Sequence, residues 1–418
     1  MSTPPDVPSA AALDAADELA GFRDRFVIDP DGPVYLDGNS LGRLPVATVE
    51  ATRRVVEDEW GAGLVTSWDH WFDLPQRVGA VIAGLVGAPD GSVTLADSTT
   101  VDLFKLAAAA TDALPARRVI VTDSGNFPTD RYALEGVARA RDLTVRVVDA
   151  DPVAGVTADA VADVVDDDVA LVSFSHVSYR SGAIADMAVI GEVARSVGAL
   201  TLWDLSHAVG SVPVDLDGAG ADLAVGCTYK YLNGGPGAPA FLFVRPALQG
   251  ALTQPIWGWF AHESPFDFDP DFRPARGIER FLVGTPPILS TAAAVAGIEI
   301  TAEAGIDAIR RKSLAATGFL LERYDEVLAP LGVGLASPRD ERRGSHVALT
   351  HPEGLAISRW LRSEANVVVD FRAPDTIRVA VAPLYTSFAE VDAGVEAIRR
   401  AVEGRCWEEA TGAGSPVT

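Results

Sequence analysis

The chain has 418 residues, is 48% hydrophobic and carries a formal net charge of -24. The apolar share excludes disorder as the main state, and the length favours two or three domains. A negative field repels phosphate, so we expect neither nucleic acid nor an anionic membrane as a partner. The many aspartate and glutamate residues and the few lysines indicate either an organism with high intracellular salt or a codon bias towards GC. The composition does not distinguish the two.

Cysteines and histidines give no pattern of a disulfide framework or a metal centre. Cys227 and Cys406 are far apart, and the six histidines are scattered. The first residues lack the basic and apolar regions of a signal peptide, and no apolar run reaches membrane-spanning length. We therefore expect a cytoplasmic protein without a membrane partner and without a metal.

Short apolar runs alternate with helical patterns over the first two thirds of the chain. This alternation predicts an α/β fold with a mostly parallel sheet covered on both faces. The predicted strands are 93–96, 118–122, 144–148, 169–174, 199–203, 221–225 and 240–244, with helices at 101–113, 130–140 and 187–197. Ligands bind beyond the carboxyl ends of such strands, where Ser175, Asp204 and the turn at 123–128 fall.

The pattern changes after Thr285 to a long helical stretch followed by a smaller mixture of strands and helices. We predict an N-terminal segment (1–45) packing with the small domain, a large cofactor-binding domain (46–290), a smaller α+β C-terminal domain (291–407) and a disordered tail (408–418). Apolar residues recur every three or four positions from Phe388 to Val402 and predict a closing amphipathic helix.

Lys230 is one of only three lysines and lies in a glycine-rich turn, whereas Asp204 follows an apolar strand. An enzyme that uses pyridoxal phosphate needs these two groups. The lysine amine forms a Schiff base with the cofactor aldehyde, and the carboxylate pairs with the pyridine nitrogen. Taken singly, each has a plainer interpretation, because most lysines are solvated and an aspartate after a strand often caps a helix or forms a turn.

Eight motifs, in order and at matching spacing, carry a resemblance to a known family. They occupy residues 35–42, 97–104, 125–130, 203–210, 229–234, 258–263, 285–289 and 377–380. Over about 35–388 the chain resembles kynureninases, which are pyridoxal-phosphate enzymes of the aspartate-aminotransferase fold type (fold type I).

The resemblance implies a cofactor site shared between two subunits. Its residues are Lys230 (Schiff base), Asp204 (pyridine nitrogen), His207, Phe127 (ring stacking), Thr99 and Thr100 (phosphate, at a helix start), Asp130, Ser175 and Tyr229, with Trp259 and Thr285 reaching the phosphate from the other subunit. A homodimer is therefore expected. Without the family, Phe127 is better interpreted as a core residue, the threonines as N-caps and Tyr229 as a packing residue.

The reaction implied is hydrolysis of the Cβ–Cγ bond of L-kynurenine, or of 3-hydroxykynurenine, to anthranilate or its 3-hydroxy form and L-alanine, a step of tryptophan catabolism. Lys230, Tyr229 and Asp204 are the implied catalytic residues, with Lys230 as the base for the α-proton and Tyr229 as the acid or base at later steps. Arg378 matches the arginine that grips the α-carboxylate, although an arginine in an apolar strand is more often an edge residue that reaches solvent.

The segment 67–75 resembles the family's aromatic loop but is shorter. Trp68, His70 and Trp71 are candidates to contact the aryl ketone, and an ordinary aromatic packing cluster is the alternative. Asn39 is a candidate to face the substrate, with a plain turn as its alternative.

Two rival functions are kept. One is another enzyme of the same fold, such as a cysteine desulfurase or an aminotransferase; the other is a non-catalytic binding protein. A desulfurase needs a reactive cysteine on a mobile loop, whereas Cys227 lies on the lysine turn and Cys406 in the last predicted helix.

Overall fold

The computed structural model describes residues 9–408, so the tail predicted at 408–418 lies, except for Glu408, outside the described residues. The α-helices in this range are α1 (Ala10–Ala15), α2 (Val46–Arg54), α3 (Trp68–Trp71), α4 (Leu74–Leu85), α5 (Thr99–Ala113), α6 (Pro128–Arg141), α7 (Ala158–Ala162), α8 (Met187–Ser196), α9 (Pro246–Gln249), α10 (Ile288–Ala304), α11 (Ile306–Arg323), α12 (Gly354–Ser363) and α13 (Phe388–Gly404). None of the helices within 9–408 is both long and apolar enough to cross a bilayer.

The strands over the same range are β1 (Val34–Tyr35), β2 (Val93–Leu95), β3 (Val119–Asp123), β4 (Thr144–Val148), β5 (Val169–Ser175), β6 (Leu200–Asp204), β7 (Leu223–Gly226), β8 (Phe241–Val244), β9 (Gly334–Leu335), β10 (His346–Thr350), β11 (Val367–Val368), β12 (Asp370–Arg372) and β13 (Thr376–Ala380). Seven of them form one sheet in the order β2-β8-β7-β6-β5-β3-β4. Strands β4, β3, β5, β6 and β7 are mutually parallel, and β8 is antiparallel to both of its neighbours. All seven predicted strands are in this sheet, and the predicted α/β class is confirmed.

Helices cover both faces of the sheet, which explains the continuous apolar runs. Along β3, Val119 and Val121 belong to one buried cluster, whereas Ile120 between them belongs to another. Successive strand residues point to opposite faces, so each strand contributes to two cores at once.

The carboxyl ends of three neighbouring strands bring polar residues together. Asp123 ends β3, Ser175 ends β5 and Asp204 ends β6, and Ser175 and Asp204 are direct partners in the register. Because the strands are parallel, these side chains meet at one edge of the sheet.

The C-terminal part contains an antiparallel sheet of order β12-β13-β10-β9, against which α11 and α12 pack. Helix α13 begins with a capping box between Ser387 and Glu390, and the apolar positions predicted for it are buried in a separate core. Strand β1 adds to this region by pairing with β11, and the Asp14 carboxylate accepts the Phe388 N–H at 2.7 Å. Helix α10 packs against α2 and α4 and spans the predicted boundary at 290, so the domain limits stay a prediction.

Candidate active site

The turn that carries Lys230 follows β7 and is fixed by its own hydrogen bonds. The Thr228 hydroxyl donates to the Pro239 carbonyl at 2.7 Å, and the Gly234 N–H donates to the Thr228 carbonyl at 2.8 Å. The Gly42 N–H also donates to the Tyr229 carbonyl at 2.8 Å. A Cβ at Gly42 would lie only 2.4 Å from the Lys230 carbonyl, so glycine is required for this close approach.

The amine of Lys230 faces an imidazole. Its Nζ lies 3.2 Å from Nε2 and 3.5 Å from Nδ1 of His207. Burial, and then the positive charge of Lys230, lowers the pKa of His207 well below its usual value. The imidazole is therefore neutral and offers a lone pair to the amine without competing for a proton.

Two carboxyl groups lie beside this pair. Asp204 is buried, and its Oδ1 accepts the Ser206 N–H at 2.8 Å. Burial, and then the negative charge of Asp204, raises the pKa of Asp130 well above its usual value, and its buried Oδ2 has no hydrogen-bond partner among residues 9–408. A protonated Asp130 can donate a hydrogen bond to Asp204.

Phe127 precedes α6 and lies half-buried over the site. Its ring is 6.0 Å from Lys230 Nζ and packs edge-on against Tyr179, with centroids 5.3 Å apart. Its N–H donates to the Asn126 side-chain oxygen at 2.8 Å, and the same oxygen accepts the Ser175 hydroxyl at 2.8 Å. Asn126 thus joins the ends of β3 and β5, and it was missed as a site residue although it stands inside a recognised motif.

Tyr229 points its ring towards the amine, with Lys230 Nζ 5.8 Å from the ring centroid. Interaction with the neighbouring Cys227, followed by burial, raises the pKa of the Tyr229 phenol. Burial also raises the pKa of the Cys227 thiol. The phenol is therefore protonated, and the cysteine is a neutral thiol.

Thr99 and Thr100 are the first two residues of α5, as predicted for an anion site. The N-cap is Ser98, whose hydroxyl faces the Val101 N–H at 3.5 Å, so the alternative that a threonine caps the helix is wrong. The N–H groups of the first turn have no acceptor within the helix and favour a phosphate. The helix start is linked to the lysine turn because Ala240 donates its N–H to the Asp97 carbonyl at 2.8 Å.

Arg378 is in the middle of its sheet and only 1% exposed, so the solvent-reaching alternative is wrong. Its guanidinium is paired with buried Asp370, donates to the Tyr179 carbonyl at 2.5 Å and to the Ser40 hydroxyl at 3.2 Å. With its side-chain amide turned, Asn39 accepts from Arg378 at 3.3 Å. Arg378 is therefore held by four groups, namely Asp370, the Tyr179 carbonyl, Ser40 and Asn39.

Sequence reasoning missed Asp370 and His346 in this region. The antiparallel register places Asp370 opposite Arg378, while His346 is paired with Ala380 two residues further along. The His346 ring is 6.0 Å from that of His207, and burial lowers the pKa of His346 to about 3. If the segment 367–380 had been interpreted as a β-hairpin, Asp370 would have been paired with Arg378. No feature of the local sequence indicates that His346 lies near the site.

Trp259 and Trp68 lie together in an aromatic cluster, with ring centroids 6.0 Å apart. The rings that Trp259 contacts within residues 9–408 belong to Trp68, Phe260 and Phe266. Phe260 donates its N–H to the Val283 carbonyl at 3.2 Å, two residues before Thr285. The structure thus brings Trp259, Trp68 and the Thr285 segment to one place, and no contact within 9–408 joins Trp259 to Lys230.

His70 and Trp71 line a different feature. They border a cavity of about 640 Å³ between α2, α4 and α10, and the Trp71 indole donates to Glu59 at 2.6 Å. His70 is exposed, and its carbonyl accepts from Arg77 at 3.1 Å. The Trp71 ring also lies edge-on to that of Trp68, with centroids 5.9 Å apart, so Trp71 lies between this cavity and the aromatic cluster.

The donor set fits pyridoxal phosphate. An amine, a buried carboxylate with a protonated neighbour, a half-buried aromatic ring and a helix start converge at one edge of the sheet. Within residues 9–408 no group of three or more histidine, cysteine, aspartate or glutamate side chains is placed to hold a metal ion.

Comparison with known proteins agrees with this geometry. Residues 309–398 match the family model of the kynureninase C-terminal domain. The chain is 42% identical to kynureninase from Pseudomonas fluorescens over 96% of both chains, and 44% identical to kynureninase from Burkholderia pseudomallei strain K96243 over 95% of this chain and 96% of the other.

Solved structures show the same fold at lower identity. An apo cysteine desulfurase from Thermococcus onnurineus has a TM-score of 0.76 at 20% identity over 89% of this chain and 95% of its own. A C-DES mutant with glycine linked covalently to its PLP cofactor has a TM-score of 0.80 at 18% identity over 90% and 98%. The similarity to these structures extends to the fold alone, whereas the full-length similarity to the Pseudomonas and Burkholderia proteins shows that the chain belongs to the kynureninase family.

Proposed function

We propose that this protein is a pyridoxal-phosphate-dependent kynureninase that hydrolyses the Cβ–Cγ bond of L-kynurenine to anthranilate and L-alanine. The observation that carries the proposal is the placement of Lys230 Nζ 3.2 Å from a neutral His207, beside the Asp204 and Asp130 pair. Full-length relatives named kynureninase at 42–44% identity support the same reaction.

The residues divide the work as follows. Bound pyridoxal phosphate supplies a ring that accepts electrons from a bond broken at the substrate. Protonated Asp130 is placed to donate a hydrogen bond to Asp204, the carboxyl group that would hold the pyridine nitrogen. Arg378 orients the α-carboxylate, so that the α-proton faces Lys230, the base that removes it.

Tyr229 is the proton donor of the later steps. Its phenol is protonated at neutral pH and its ring faces the Lys230 amine, so it is placed to deliver a proton when water attacks the γ-carbonyl or when the β-carbon leaves. Buried Arg378 keeps the substrate fixed during these transfers, because Asp370 and the Tyr179 carbonyl hold the guanidinium.

The direct test is incubation of the holoprotein with L-kynurenine in high-salt buffer, following anthranilate fluorescence and alanine release. Both products should form in equal amounts, and 3-hydroxykynurenine assayed in parallel should show which ring is preferred. A Lys230→Ala variant should lose the yellow colour of the bound cofactor and the turnover. Absence of both products with cofactor bound, or unchanged colour and turnover in the variant, would refute the assignment.

A desulfurase is the second candidate, because it shares the fold. It would need a reactive thiolate on a mobile loop. Cys227 is buried with a raised pKa, and Cys406 follows α13, whose apolar residues are buried along the whole helix. Formation of alanine and sulfide from cysteine in the presence of a thiol reductant, at a rate comparable to alanine release from kynurenine, would favour it.

We further propose a homodimer with shared active sites. Support comes from the contacts of Trp259, which lie in its own aromatic cluster rather than at its own Lys230, and from exposed apolar residues nearby, including Trp257 and Phe268. Mixing Lys230→Ala protomers with Trp259→Ala protomers should restore one intact site per mixed dimer. No recovery of activity beyond the two separate variants, or a monomer by sedimentation, would contradict the shared site.

We also propose a cytoplasmic location and adaptation to high salt. Two unpaired cysteines fit a reducing compartment, and the charge of -24 fits a hydrated acidic surface.

A further inference from the structure

Lys105 is a fully buried lysine outside the residues described so far as catalytic. Its Nζ lies 2.7 Å from Asp97 Oδ2 and 2.8 Å from Asp102 Oδ1, and it donates to the Phe281 carbonyl at 2.9 Å. The ammonium donates hydrogen bonds to Asp97 and to the Phe281 carbonyl, and it forms a close ion pair with Asp102. A simple ion pair within α5 would need only Asp102, so the other two contacts call for a different explanation.

The first of these contacts fixes the start of α5. Asp97 immediately precedes the N-cap Ser98, and Thr99 and Thr100 follow as the first helical residues. The Asp97 carbonyl also accepts the Ala240 N–H at 2.8 Å, which ties the same residue to the end of the lysine turn. Lys105 therefore determines where the free N–H groups of the first turn are placed.

The second contact fixes the segment that carries Thr285. Phe281 ends the short helical turn Ile278–Phe281, and the Val283 carbonyl that follows accepts the N–H of Phe260, next to Trp259. One ammonium group thus joins the helix start of one phosphate site to the segment that, in the proposed dimer, reaches the phosphate of the other subunit.

We propose that Lys105 is a positioning residue for the cofactor phosphate, acting through Asp97 on the start of α5 and through Phe281 on the segment 281–285. The inference rests on the proposed use of pyridoxal phosphate but not on the reaction catalysed. Lys105 touches neither cofactor nor substrate, so its effect is on how well the phosphate is held.

The test compares pyridoxal phosphate with pyridoxal, which lacks the phosphate, in binding to Lys105→Met apoprotein. Methionine keeps most of the side-chain volume and removes the ammonium. Affinity for pyridoxal phosphate should fall about tenfold or more, as for the loss of a hydrogen bond to a charged group, while affinity for pyridoxal should be nearly unchanged. Absorbance titration gives both dissociation constants without any assay of turnover.

Lys312→Met is the matched control. Lys312 is also buried and paired, with Nζ 2.6 Å from Asp17 Oδ2, but it lies on α11 away from the phosphate helix. This variant should lose stability without changing the ratio of the two affinities. Asp97→Asn weakens one contact of Lys105 and leaves Asp102 in place. It should change the ratio of the two affinities in the same direction as Lys105→Met, but by a smaller factor. If the methionine variant does not fold, Asp97→Asn provides the test.

An unchanged ratio in Asp97→Asn and in folded Lys105→Met would overturn the proposal, as would an equal loss of affinity for both ligands. The outcome is separate from that of the proposed function. A protein that binds pyridoxal phosphate with the expected ratio but leaves kynurenine intact would refute the reaction alone.

Discussion

Replacement of Asp370 by asparagine should be strongly destabilising, because it breaks a buried ion pair. Asp370 is 0% exposed and Arg378 1% exposed, and Asp370 is the carboxylate that neutralises this guanidinium most directly. Removing one partner of a buried pair costs about 3–5 kcal/mol, since the other charge is left without compensation. That is a large part of the roughly 5–15 kcal/mol that stabilises a folded domain.

The measurement is denaturant unfolding of wild type and Asp370→Asn, with Asp325→Asn as control. Asp325 pairs with Arg339 at 2.7 Å, but both side chains are more than half exposed, so its loss should cost less than about 1 kcal/mol. Asp370→Asn should also raise the KM for kynurenine, because Arg378 loses its orientation. A loss of stability no greater than that of the control would show that Asp370 does not compensate the buried charge of Arg378.

Three further outcomes follow from the same structure. Burial, and then the charge of Asp370, raises the pKa of Asp37 to about 7, so the folded state keeps a proton that the unfolded state has lost. The contribution of Asp37 to stability should therefore fall as pH rises from 4 to 7. Asp37→Asn should gain stability relative to wild type over this range in unfolding measured at several pH values, and a difference that does not change with pH would contradict the buried carboxyl. Tyr229→Phe should lower kcat by about 10²–10⁴-fold while the cofactor stays bound, which steady-state kinetics and the absorbance of the cofactor would measure. A kcat near that of wild type would show that Tyr229 does not transfer the proton. If the acidic surface is an adaptation to salt, unfolding followed against salt should show stability increasing with concentration, whereas greatest stability in dilute buffer would count against it.

The sheet and its polar edge could be predicted from sequence because their signals are local. An uninterrupted apolar run marks a strand buried on both faces, and the polar residue that ends it marks the carboxyl edge, as at Ser175 and Asp204. Helix starts were less certain. Ser98, Thr99 and Thr100 can all accept a backbone N–H, and only the backbone conformation shows that Ser98 is the cap.

The partners that hold the site could not be predicted, because they are distant in sequence. Lys105 and Asp102 are three residues apart on a helix, so their pairing was accessible to pattern reasoning, but the Phe281 carbonyl is 176 residues away. In the same way the Tyr179 carbonyl meets Arg378 across 199 residues. Such contacts depend on how elements that are distant in sequence pack against each other. The periodicity of the local sequence does not predict that packing.

The scarcity of lysine has a structural counterpart. Lys105 and Lys312 are buried in ion pairs, and Lys230 is half-buried at His207, so none of the three is an ordinary surface charge. A mutational bias against lysine codons acts at every position, but selection resists it only where an arginine cannot substitute. The planar guanidinium of arginine cannot form a Schiff base, and its fork does not match three acceptors that converge on one nitrogen, as they do at Lys105. The retention of Lys105 and Lys230 therefore indicates that the amine itself is needed there, whichever pressure removed lysine from the surface.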